Sequence, residues 1–187
     1  MSSKIATCSL FLIIAYFIIM SKVPQGEPNI ITNQVCKEVL GQECTIVYEK
    51  APYPNAYVRE GIPVIHLVGG IEKVFTPEEL NSVMLHEIAH VALEHARRMD
   101  SVIKENGDKM SPVVQCSVAR QFEYESDDFA VAMSARYKIP SKLDEAFINH
   151  VRSNQRDTLS CSHPTINQRI RRIRNMERIY QVPEEIR

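Results

Sequence analysis

Thr76-Pro77-Glu78-Glu79 constrains this chain more than any other four residues, because it specifies where a long helix begins. Threonine accepts a hydrogen bond from the backbone N–H three residues on, the glutamate there reaches back to the threonine N–H, and proline suits the first helical position. Leu80, Val83, Met84, Ile88, Val91 and Leu93 follow at helical spacing, which predicts a helix running to about Met99. Within it lies His86-Glu87-Ile88-Ala89-His90. Residues four apart stand about 40° apart around a helix, so both imidazoles leave one face and can grip one ion. Zinc accepts neutral imidazole nitrogen, and a catalytic zinc keeps three protein ligands and one position for water. Glu87, beside the first histidine, is then placed to take a proton from that water as it attacks a peptide carbonyl.

A third ligand has to come from a second element. Ser111-Pro112 opens another helix that should reach about Tyr137, and its segment Gln121–Asp128 offers four carboxylates. Glu123 and Asp127 share a face at i and i+4, so one can bind the metal while the other accepts the free N–H of a ligand histidine. Glu125 and Asp128 point away from that pair and read as a solvated acidic face. His95 is offset by about 140° from His90 on an unbroken helix, which places it off the metal face.

The rest of the chain supplies a small sheet and further helices. Ile31–Leu40 reads as a short helix ending at Gly41, and Thr45–Tyr48 and Ile62–Val68 read as strands, with Pro63 placing the second at an edge or a strand start. Asp144–Val151 is helical in pattern, Ser153–Cys161 is a loop, and a last helix runs from Pro164 to about Tyr180 with Ile170, Ile173 and Ile179 toward a core. The expected fold is α+β, with the sheet packed on the histidine helix and a mainly helical C-terminal half.

Leu10–Met20 is an unbroken apolar run preceded by Lys4 and followed by Ser21-Lys22. It reads as a signal peptide or, because no small-x-small pair follows, as an uncleaved membrane anchor. The expected division is therefore residues 1–23 as the N-terminal segment, 24–29 as a Pro/Gly linker and 30–187 as one domain, placed outside the cytoplasm, in the periplasm or on a membrane facing it, or secreted after cleavage. A formal charge of -1 spread over 187 residues argues against a nucleic-acid partner. Cys8 precedes the apolar run, which leaves Cys36, Cys44, Cys116 and Cys161, an even number with three possible pairings.

With these residues in place, the chain resembles the gluzincin metallopeptidases, and among them the HtpX-like proteases and CAAX prenyl endopeptidases. Four blocks carry the resemblance: Pro54–Tyr57 leading into Ile62–Gly70, Glu79–His95, Phe122–Ala130, and Ser162-His163-Pro164 with Arg169-Ile170. It implies a gluzincin-like domain holding one zinc ion per chain through His86, His90 and Glu123, with Asp127 orienting a histidine ligand. It further implies a protein or peptide substrate laid as an added strand along Ile62–Val68, touching Val64 and His66 and flanked by Asn55 and Ala56. His163 matches a histidine that can stabilise an oxyanion, with Arg169 supporting it. If those residues converge, Cys116 and Cys161 can meet, which leaves Cys36 for Cys44.

The activity this implies is zinc-dependent endopeptidase action in quality control of exported or membrane proteins. Two other readings stand beside it: a zinc-binding, chaperone-like module without catalysis, and a zymogen that clips only itself. The chain departs from the multi-span prenyl endopeptidases in carrying at most one spanning segment. It also reads Val68-Gly69-Gly70-Ile71 where the family commonly has a glycine followed by two leucines.

Overall fold

The computed structural model describes residues 28–59, 61–107, 110–152 and 159–180, so the apolar N-terminal run and most of the Ser153–Cys161 loop lie outside the described residues. Six helices and three strands follow in the order α1 (Pro28–Leu40), β1 (Thr45–Glu49), β2 (Asn55–Val58), β3 (Val64–Val68), α2 (Pro77–Ala92), α3 (His95–Asn106), α4 (Pro112–Tyr137), α5 (Leu143–Arg152) and α6 (Ile166–Ile179). This is the expected α+β class, mostly helical with one small sheet. Among the described residues no helix is long and apolar enough to cross a membrane.

The helix starts obey local chemistry. Thr76 Oγ1 accepts from the Glu79 N–H at 3.2 Å, and the Thr76 N–H donates to Glu79 Oε2 at 2.8 Å, closing the capping box ahead of Pro77. Ser111 caps α4 ahead of Pro112. Thr165 and Gln168 form a second capping box, so α6 begins at Ile166 and Pro164 lies two residues outside it.

The long helix does not reach Met99. It stops at Ala92, turns at Leu93-Glu94 and restarts as α3 at His95. Glu94 adopts φ 53 and ψ 40, a left-handed conformation that costs a non-glycine residue about 1 kcal/mol. Nothing in the local sequence requests this break, since no glycine, proline or asparagine stands there. Contacts with α4, described below, hold it.

The sheet order is β1-β3-β2, with β1 parallel and β2 antiparallel to β3. This corrects the expected edge: β3 is the central strand. Pro63 lies just before β3, where its missing N–H interrupts no ladder bond, and its carbonyl accepts from Thr45 N–H. The short strand β2, between Pro54 and Arg59, is an edge and packs against α2. Its placement depends on Gly69, whose φ is 66 and where a Cβ would lie 1.9 Å from the Tyr53 carbonyl oxygen. Only glycine lets the chain entering β2 pass that close.

Ile65 and Leu67 of β3 face the core with Met84, Leu85 and Ile88 of α2, Val35 of α1, Val131 of α4, Leu143 of α5 and Ile173 of α6. Helix α2 is thus enclosed by α1, α4, α5 and β2. Such a helix is a rigid platform for side chains. Of the apolar face expected on the last helix, Ile173 is fully buried but Ile179 is exposed, and Arg169 and Glu177 take buried positions instead.

Candidate metal centre

Three side chains converge where α2 crosses α4. His86 Nε2 and His90 Nε2 lie 3.2 Å apart, His86 Nε2 lies 3.5 Å from Glu123 Oε2, and His90 Nε2 lies 3.6 Å from Glu123 Oε1. A tetrahedral ion with bonds near 2.1 Å separates its ligands by about 3.4 Å; the two histidine nitrogens meet that spacing, each lies nearest a different oxygen of Glu123, and the three donors all fall within 4.8 Å of one another. Among the described residues these three form the group able to hold a metal.

Behind the donors stands a charged layer. His86 Nδ1 lies 3.0 Å from Asp127 Oδ1. Arg169, from α6, donates from Nε to Asp127 Oδ2 at 2.9 Å and from a terminal nitrogen to Oδ1 at 2.7 Å, while its other terminal nitrogen lies 3.1 Å from Glu123 Oε2. Its guanidinium also rests 4.0 Å from the centre of the Phe147 ring. Asp127 is fully buried and Arg169 is 6% exposed. Buried charges are tolerable only when paired and hydrogen-bonded, a condition this cluster meets with two carboxylates against a guanidinium and an imidazole.

The same arrangement sets the protonation of the site. Burial disfavours the charged form of His86, but hydrogen bonds to Asp127 and Glu123 outweigh it and raise its pKa to about 9. Burial, reinforced by the neighbouring His86 charge, lowers His90 to about 3. Burial also works to raise the Glu123 and Asp127 carboxyls, but His86 and Arg169 prevail and hold both below their ordinary values. Burial pushes Glu87 up to about 7, with the His86 and Arg169 charges only partly offsetting it. One face of the helix therefore carries a neutral imidazole, a proton-bearing imidazole that a cation can replace, and a carboxyl that titrates near neutrality.

These residues form a wall of a cavity of about 660 Å³. Asn55, Ala56, Tyr57 and Val58 of β2 line it opposite Phe147 and His150 of α5, and Glu87 faces it. Val64 and His66 are not among its lining residues. They belong to the central strand, where His66 stacks on Tyr57 with ring centres 4.7 Å apart and bonds Glu49 at 2.6 Å. Tyr57, within the Pro54–Tyr57 block, and His150 also line the cavity, and His150 carried no signal in the sequence beyond its type.

His163 comes to the rim. Its Nε2 lies 3.7 Å from Glu123 Oε1, its Nδ1 lies 2.7 Å from Ser162 Oγ, and its side chain is 57% exposed. Two disulfides join Cys36 to Cys44 and Cys116 to Cys161, the expected pairing. The second ties the loop before His163 to the helix carrying Glu123. Arg120 adds hydrogen bonds to the carbonyls of Ser160 and Cys161 at 3.2 and 3.4 Å.

The helix break alters the surroundings of His95, which stays outside the metal-donor group as expected, and overturns the solvated reading of Glu125. His95 is 4% exposed, and its Nδ1 lies 2.9 Å from Nδ1 of His90. Its ring stacks on Phe122 and its Nε2 lies 3.2 Å from Glu125, which in turn accepts from Arg98 at 2.6 Å. Glu125 is therefore partnered and part-buried, not a solvated acid. Asp128 likewise pairs with Arg172 at 2.6 Å. The 140° offset assumed a continuous helix, and the left-handed Glu94 removes that assumption.

No curated protein and no solved structure matches the chain. The profile of peptidase family M48 matches residues 31–110 and 106–177, a span that contains every donor and partner of the site. With its family's pattern running through most of its length and a His-His-Glu group at its centre, the chain belongs to peptidase family M48.

Proposed function

We propose that the chain is a zinc-dependent metalloendopeptidase. The observation that carries this reading is the convergence of His86, His90 and Glu123, whose donor atoms lie within 4.8 Å of one another, at the wall of a cavity that Glu87 also faces. Bound there, zinc supplies Lewis acidity and brings the pKa of water toward 7. Glu87 accepts the proton of the attacking water and returns it to the leaving amine, a task suited to a carboxyl that titrates near neutrality. His163 at the rim donates toward the developing oxyanion. Arg169 acts indirectly, fixing Asp127 and Glu123 in place.

The substrate in this reading is an extended peptide paired with β2, whose residues Asn55 to Val58 both form a sheet edge and line the cavity. The added strand thus lies along β2 in place of the Ile62–Val68 segment. Two disulfides support an exported domain, since such bonds persist in oxidising compartments. The apolar run in residues 1–23 then tethers the chain or directs its export, and the HtpX-like resemblance favours quality control of exported or membrane proteins.

Glu87→Gln tests the mechanism. It should retain stoichiometric zinc by elemental analysis and lose peptide cleavage by about 100-fold or more. Cleavage surviving in that variant sinks the role of Glu87, and a wild-type chain that holds zinc without generating new peptide termini supports the non-catalytic module. Termini confined to the chain itself would point to self-processing.

A further inference from the structure

We propose that His95 is the positioning residue for His90, holding it in the tautomer whose Nε2 is free to bind metal. This inference rests on the metal-site reading above. His90 Nε2 faces Glu123 and His86, at 3.6 and 3.2 Å, so its lone pair must be free if it is to serve as a donor. The ring proton then belongs on Nδ1, and Nδ1 lies 2.9 Å from Nδ1 of His95.

A contact between two neutral imidazole nitrogens needs one N–H and one lone pair. If His90 donates, His95 Nδ1 accepts and the His95 proton sits on Nε2, 3.2 Å from Glu125 Oε2. Glu125 is an acceptor, kept anionic by Arg98 at 2.6 and 3.3 Å. Every group in the chain from Glu125 through His95 to His90 is then satisfied. The opposite assignment puts a proton on His90 Nε2, aimed among the metal donors, and sets the bare Nε2 of His95 against a carboxylate. Only the first assignment is compatible with a bound ion.

The surrounding geometry holds His95 to this task. Its ring stacks on Phe122 with centres 4.4 Å apart and planes 6° apart. The left-handed turn at Glu94 swings it back over His90, where a continuous helix would carry it away. His86 receives its orienting acceptor directly from Asp127, whereas His90 receives one through an interposed imidazole. Acceptors placed behind ligand histidines fix their orientation and increase their basicity.

The test uses the full chain loaded with zinc, with long-range proton–nitrogen NMR assigning the ring tautomers and chelator competition measuring zinc affinity. The expected spectrum shows His90 protonated at Nδ1 and His95 protonated at Nε2. His95→Phe, which keeps a ring on Phe122 but removes the acceptor, should weaken zinc binding by about 10- to 100-fold. His95→Asn, which presents an oxygen near the Nδ1 position, should recover most of that loss. A proton on Nδ1 of His95 in the zinc-loaded chain, or wild-type zinc affinity in His95→Phe, would overturn the proposal while leaving the metal site intact. A wild-type chain that binds no zinc overturns the metal reading and this inference with it. If His95→Phe does not fold, the wild-type tautomers decide alone.

Discussion

Asp127 Oδ1 lies 3.0 Å from Nδ1 of His86, and the same carboxylate takes a two-pronged contact from Arg169. One buried acid thereby orients a donor from α2 and anchors α6 against α4. Removing its charge should be felt in both roles. Asp127→Asn is expected to lower stability by about 3 kcal/mol, because it leaves a buried guanidinium partly uncompensated. It should also weaken zinc binding by about 10-fold or more. Chemical denaturation of the metal-free chain and chelator competition read the two effects separately.

The protonation of His86 predicts how metal binding varies with pH. Its folded pKa is raised from 6.5 to about 9, so the metal-free fold gains stability from this proton below pH 6.5 and loses it as pH rises toward 9. A metal must displace that proton. Apparent zinc affinity should therefore climb about tenfold per pH unit between pH 7 and 9 and flatten above. Chelator competition across that range, or proton release measured by calorimetry in buffers of different ionisation enthalpy, checks the slope. An affinity independent of pH in this window would refute it.

The Cys116–Cys161 bond closes a separation of 45 residues and holds the loop ahead of His163 beside α4. Replacing both cysteines by serine should cost about 2–4 kcal/mol of stability. Zinc binding should survive, because none of the three donors lies on that loop. If His163 assists the reaction, turnover falls while zinc content holds. Intact mass before and after reduction counts the bonds directly, and four free thiols in the native chain would remove the premise.

Gly69→Ala places a methyl group where the Tyr53 carbonyl passes at 1.9 Å and forces alanine to a φ of 66. The two penalties together should cost about 2–4 kcal/mol. Since Tyr53 leads into β2, the same change should raise KM for peptide substrates more than it lowers kcat. Thermal unfolding and steady-state kinetics on the purified chain test the pair.

Local chemistry made much of the site legible. The spacing of His86 and His90, the capping box at Thr76 and the i, i+4 relation of Glu123 and Asp127 each depend on a few neighbouring residues, and the structure contains all three. The choice of Glu123 over Asp127 as donor was not local. It came from resemblance, and physically it follows from depth: Asp127 is enclosed by Arg169 and His86, while Glu123 reaches the cavity. Resemblance marked Arg169 only as support for His163, and its pairing with Asp127 was not legible, because helical periodicity says which residues share a face, not what packs on it.

What the amino-acid sequence by itself determined is the pair of helices, their starting points and the face on which each presents its metal-seeking side chains. Tertiary structure alone decided that β3 is central and β2 the edge beside the cavity, because strand order depends on pairings between distant segments. It also decided the break at Glu94. A left-handed glutamate is unfavourable on its own and persists here where His95 and Arg98 meet Glu125 across 30 and 27 residues of chain.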